Sequence, residues 1–115
     1  MTWVIIPSRC SKERAENSGM TIDEFRASLA GAQPPAVSPL LRALWHDAKG
    51  DWDRAHALAQ DEDERSGAWV HAYLHRKEGD LGNAAYWYRR AKYTLATDSL
   101  GAEWERIVSE LLARV

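Results

Sequence analysis

The feature that most constrains this chain is a Gly-Asp pair that occurs twice, at Gly50-Asp51 and Gly79-Asp80, 29 residues apart. Glycine ends a helix in the left-handed conformation without steric cost, and aspartate caps the free N–H groups of the next helix. Each pair therefore predicts a tight turn between two helices that fold back antiparallel. The flanking residues repeat in the same register: RALWHDAKGDWDRAHALAQDE over 42–62 and HAYLHRKEGDLGNAAYWYRRA over 71–91. Ala43, His46 and Ala55 match Ala72, His75 and Ala84, while Leu44, Trp52 and Leu58 match Tyr73, Leu81 and Trp87 in size. The small alanines let paired helices approach closely. Each copy is a helical hairpin, the unit from which solenoids are stacked.

The remaining elements follow from caps and periodicity. Thr21 and Glu24 form a T-x-x-E capping box, and Ile22, Phe25 and Leu29 follow at helical spacing, so a helix is expected over Ile22–Ala30 with Gly31 as its left-handed terminator. GAQPPAV (31–37) is a proline-stiffened connector. Ser38 as N-cap and Pro39 at the first helical position open a second helix that runs to Lys49. A third covers Trp52 to Gln60. DEDE (61–64) is a turn plus an acidic first turn of a fourth helix, Glu64 to Glu78, where negative charge suits the dipole. The fifth spans Leu81 to Tyr93. After a connector at 94–98, Ser99 starts a last helix with Leu100, Trp104, Ile107, Val108, Leu111, Leu112 and Val115 on one stripe, and Glu103, Glu105 and Glu110 on what reads as its solvated side. Apart from a short apolar stretch at 3–6, no segment alternates with period two. The expected fold is all-α: about two antiparallel hairpins, an N-terminal helix and a C-terminal capping helix.

Residues 1–19 stand apart. Trp3 to Ile6 is too short for a secretory core, residues 8–19 are polar without periodicity, and Met20 opens the first clean helix start. The expectation is a disordered tail or gene-model extension over 1–19, with a short strand at 3–6 as the alternative, and a single domain over 20–115. At 115 residues the chain has no room for a second independent core. A formal charge of -2 leaves no basic excess to hold nucleic acid, and the single cysteine, Cys10, excludes a disulfide framework or a multi-thiolate zinc site. No apolar run approaches the roughly 20 residues of a membrane span. A cytoplasmic monomer or homodimer is expected. Six tryptophans against one phenylalanine is the odd entry in the composition. Five of them, Trp45, Trp52, Trp69, Trp87 and Trp104, fall one on each of the second to sixth helices, where they are expected to fill a short stack.

Gly79-Asp80 with Ala72 before it and Ala84, Tyr88 and Ala91 after it resembles the tetratricopeptide-repeat-like superfamily. The first copy matches at Ala43, Gly50-Asp51 and Ala55, but has Ala59 and Glu62 where the motif has an aromatic and a small residue. The spacing of 29 is shorter than the usual ~34, and the closing proline is absent, Ala96 standing near its place. The resemblance covers about residues 38–93. GDWDRAH, WVHAYLHR and YWYRRA are also similar to a family of small bacterial and fungal proteins of unknown function, which supplies no activity.

Three constellations carry candidate chemistry. His71, His75 and Glu78 lie on one helical face at i, i+4 and i+7, and His46 is the repeat mate of His75. Together they offer imidazoles and a carboxylate to a divalent ion such as zinc. The motif is not HExxH, since Ala72, Tyr73 and Leu74 lie between the histidines. The second constellation follows from the resemblance, which implies a concave face lined by the first helix of each hairpin. Trp69, Tyr73, Arg76 and Lys77, with Leu40, Leu44 and Asp47 from the first hairpin, would there bind an extended peptide or a carboxylate, the alternative being that Trp69 and Tyr73 are core residues packed on the second helix. The third is YWYRR (86–90), whose consecutive aromatics fan around a helix, so that at least one is exposed or meets the capping helix or a partner. No P-loop, GxGxxG or GxSxG is present, and Cys10 is a poor nucleophile candidate. The leading expectation is therefore a non-catalytic module that binds a protein or peptide, with no cofactor. The alternative is a metal- or histidine-dependent enzyme using His46, His71, His75 and Glu78.

Overall fold

The computed structural model describes residues 20–62 and 64–114. The expectations for residues 1–19, Cys10 included, lie outside that range. Among the described residues there are six α-helices and no strand: α1 (Ile22–Ser28), α2 (Pro39–Ala48), α3 (Trp52–Gln60), α4 (Arg65–Glu78), α5 (Leu81–Ala91) and α6 (Leu100–Leu112). Among the described residues no helix is long and apolar enough to cross a membrane.

The two Gly-Asp turns are built alike. Gly50 and Gly79 sit at φ 90° and 91°. The Asp51 N–H donates to the His46 carbonyl at 2.9 Å, and the Asp80 N–H to the His75 carbonyl at 3.0 Å, each closing the preceding helix. The Asp51 and Asp80 carboxylates then accept from the Arg54 and Asn83 N–H groups and open the next helix. The capping box also forms, with Glu24 N–H donating to Thr21 Oγ1 at 3.1 Å and Thr21 N–H to Glu24 Oε1 at 2.9 Å.

Three helix ends differ from expectation. α1 stops at Ser28, with Leu29 right-handed and Gly31 outside the left-handed region, so local turn bonds rather than a glycine cap end it. α5 stops at Ala91 because Lys92 takes the left-handed conformation (φ 63°), which lets Tyr93 N–H reach the Tyr88 carbonyl at 3.0 Å. α4 starts at Arg65, and Glu64 precedes it without a side-chain cap bond. The turn before α4 runs so close to its first turn that a Cβ on Gly67 would lie 2.4 Å from the Glu62 carbonyl oxygen.

α4 is the central element. It packs against α5, α3, α6 and α2, and every residue from Ser66 to His75 is buried. A helix enclosed on all sides carries its polar residues inward. α6 lies against α2, α4 and α1. Indole N–H groups staple these contacts: Trp45 to Ser28 Oγ at 3.1 Å, Trp52 to the Leu74 carbonyl at 2.9 Å, Trp69 to Glu103 Oε2 at 3.3 Å and Trp104 to the Leu44 carbonyl at 3.0 Å. Each bond joins two different elements, so these four tryptophans fix the arrangement of helices as well as filling volume.

Glu103 corrects the reading of α6. It is wholly buried, not solvated. It accepts from Arg76 at 2.7 Å, Tyr88 Oη at 2.5 Å and Trp69 Nε1 at 3.3 Å. The apolar stripe of α6 placed Trp104, Ile107 and Val108 in the core, but α4 and α5 reach further around the helix and enclose its neighbour as well.

Candidate metal centre

His71 and His75 are one turn apart on α4, and the enclosure of α4 buries both imidazoles. α3 packs alongside and presents Trp52 and His56, also one turn apart. The two pairs interleave. The His56 ring meets His71 edge-on at 4.5 Å and His75 at 5.2 Å, while His71 and His75 stack at 4.9 Å and 22°. The ligand nitrogens of His56, His71 and His75 all lie within 4.8 Å of one another.

Indoles wall the cluster on two sides. Trp87 of α5 stacks on His71 at 4.0 Å and 9°, and Trp52 stacks on His56 at 4.8 Å and 14°. Burial, together with the neighbouring His56 and His75, pushes His71 down to about 4. Burial and His75 lower His56 as well. Both rings are therefore neutral at physiological pH, the form that donates a lone pair to a metal. Glu78 Oε1 lies 2.7 Å from His75 Nδ1, the arrangement in which a carboxylate fixes a ligating histidine's tautomer and leaves Nε2 as donor. His56 is half-buried, whereas His71 and His75 are buried.

A second group, His75, Glu78 and Asp80, has its ligand atoms within the same range. Asp80, however, already caps α5 and takes two bonds from Asn83, which hold its carboxyl below the usual range. It is committed to the turn.

Of the expected set of His46, His71, His75 and Glu78, the structure brings His71 and His75 together with His56, sets Glu78 against His75 and places His46 apart. His46 sits edge-on to Trp45 at 5.2 Å, outside the imidazole cluster. Repeat logic paired His46 with His75 because they are equivalent, but the second helix of one hairpin also packs on the first helix of the next. His56 on α3 was legible as a neighbour by that rule, and its i, i+4 relation to Trp52 marked the face that turns inward.

Several of the expected peptide-binding residues bond α6 or one another, and Lys77 is exposed. Leu44, Asp47, Trp69 and Tyr73 are buried. The Leu44 carbonyl accepts from Trp104, and Trp69 and Arg76 bond Glu103. Tyr73 Oη donates to Asp47 at 2.9 Å and Lys77 pairs with the same carboxylate at 2.8 Å, beside a cavity of about 260 Å³ that they share with Trp104 and Leu100 of α6. Burial, and then the Asp47 charge, raise the Tyr73 phenol well above its ordinary range. Of the YWYRR run, Tyr86 is exposed with Arg90 over its ring, Trp87 covers His71 and Tyr88 is buried on Glu103.

Compared with known proteins, the chain matches no family model, no curated protein and no solved structure.

Proposed function

We propose that this protein binds a zinc-class transition-metal ion through His56, His71 and His75, with Glu78 orienting His75, on a tetratricopeptide-like pair of helical hairpins. The observation that carries this reading is the convergence of three imidazole donors within 4.8 Å, one of them held by a carboxylate. An all-nitrogen set suits zinc, cobalt, nickel or copper rather than calcium or magnesium, which take oxygen. Bonds of about 2.0–2.1 Å to imidazole imply donor separations of about 3.3 Å in a tetrahedron, so small side-chain movements close the site. The repeated Gly-Asp turn geometry supports the hairpin architecture.

Calorimetry and thermal scans of metal-free protein with zinc, nickel and cobalt test the reading. Expected are one ion per chain and a raised Tm. His56→Ala and His71→Ala are expected to weaken binding at least ~100-fold, because each removes a ligand, and Glu78→Gln ~10–100-fold, whereas His46→Ala leaves it unchanged. The absence of both heat and thermal shift with all three ions removes the proposal.

A second reading, binding of a protein partner, is favoured by α5. Its main packing is against α4 alone, and Leu81 and Tyr86 are 58% and 43% exposed on it. Light scattering and proximity labelling of wild type against a Leu81→Asp, Tyr86→Ala double variant test it; an unchanged mass and partner set dismiss it.

A further inference from the structure

From the donor count we infer that the metal ion keeps an open coordination position, so that the centre takes a small exogenous anion or a reactive water rather than serving as a closed structural clasp. This rests on the three-histidine reading above. Among the described residues, no fourth histidine, cysteine or carboxylate brings a ligand atom within 4.8 Å of all three imidazole donors. Glu78 is the nearest acid to the set, and its Oε1 is engaged at 2.7 Å with Nδ1 of His75. Structural zinc sites are closed by four protein ligands, whereas three protein ligands leave a position for water or substrate.

The surroundings favour a small ligand. Trp52 and Trp87 flank the imidazoles with apolar faces that give no bond to an incoming group. Of the three imidazoles, His56 is the one nearest solvent. Two apolar walls leave room beside the three imidazoles only for a compact ligand, water or a small anion, that binds the ion directly. Water is the simplest such ligand, and a bound divalent ion would lower its pKa towards about 7 so that it could release its proton to bulk solvent.

Cobalt-loaded full-length protein, titrated with azide and followed in the visible spectrum, tests the inference. Expected are cobalt bands on loading, followed by a saturable shift with azide that survives in Glu78→Gln. Cobalt bands that azide leaves unchanged overturn the open position while leaving the metal reading intact. A response to azide only in Glu78→Gln makes Glu78 the fourth ligand and also overturns it. The absence of cobalt bands removes the metal reading and this inference with it.

Discussion

His71 shows how one side chain changes character with its surroundings. On a helix written out by itself it is a polar residue; in the folded chain it lies between Trp87 and His56 with almost no exposure. Its folded-state pKa of about 4 lies below the ordinary 6.5, so between those values the unfolded chain takes up a proton that the native state refuses. The stability this neutral ring permits is fully present above about pH 6.5 and is lost as pH falls towards about 4. His56 is shifted in the same direction and adds to the slope. Urea midpoints of the metal-free protein should therefore drop between pH 7 and pH 5. In His71→Phe, which keeps a ring against Trp87, the drop should be smaller; equal drops in both proteins would show that His71 is not the titrating group. The same residue illustrates the limit of local reading. The HxxxH spacing was visible, but the neutralising burial and the identity of the third imidazole depend on α3 and α5.

At the scale of elements, the turns were largely legible because capping is a local matter. Gly50, Gly79, Asp51, Asp80, Ser38 and the Thr21–Glu24 box each act within five residues of themselves. The exceptions are equally physical. Lys92 holds a left-handed cap that a sequence reading gives to glycine, because the closure of α5 and the path to Tyr93 demand it. Lys92→Gly is expected to raise stability by about 0.5–1 kcal/mol, the relief of the Cβ clash less the added freedom of the unfolded chain. Gly67→Ala is expected to do the reverse, by ~1–3 kcal/mol, since its Cβ would meet the Glu62 backbone oxygen at 2.4 Å and the turn must shift. Chemical denaturation of both variants checks the two signs; a Gly67→Ala protein as stable as wild type would mean that the turn yields without cost.

Across the whole molecule, the position of α6 is the decisive arrangement. Its seat on α2 and α4 covers the face that the resemblance assigned to a peptide, so the chain's own amphipathic helix occupies that surface. Glu103 pins it. The carboxylate is fully buried and Arg76 nearly so, with the guanidinium also bonded to the Asp98 carbonyl. Removing one partner of such a pair leaves the other uncompensated, which costs ~3–5 kcal/mol, whereas replacing both by apolar groups is often near neutral. Glu103→Leu should accordingly destabilise strongly, and Glu103→Leu combined with Arg76→Met should recover much of the loss. A double variant whose loss equals the sum of the two single losses would show that the pair is not coupled. The Tyr88 and Trp69 donors, which lose their acceptor in both cases, set the part that is not recovered.

The amino-acid sequence by itself determined the all-helical class, most helix ends and the two Gly-Asp turns, because caps, glycine conformation and apolar periodicity act over one or two turns of chain. It also determined that tryptophans would sit one to a helix. The tertiary structure alone decided what the polar residues of those helices do. Periodicity marks the face a helix turns to one neighbour, but α4 has neighbours on every side and α6 is gripped past the edge of its stripe. Residues that read as solvated or as groove-lining, Glu103 and Trp69 among them, became interior bonds. The meeting of His56 with His71 and His75 arises from two different helices, α3 and α4, a distance relation that no spacing within one helix encodes.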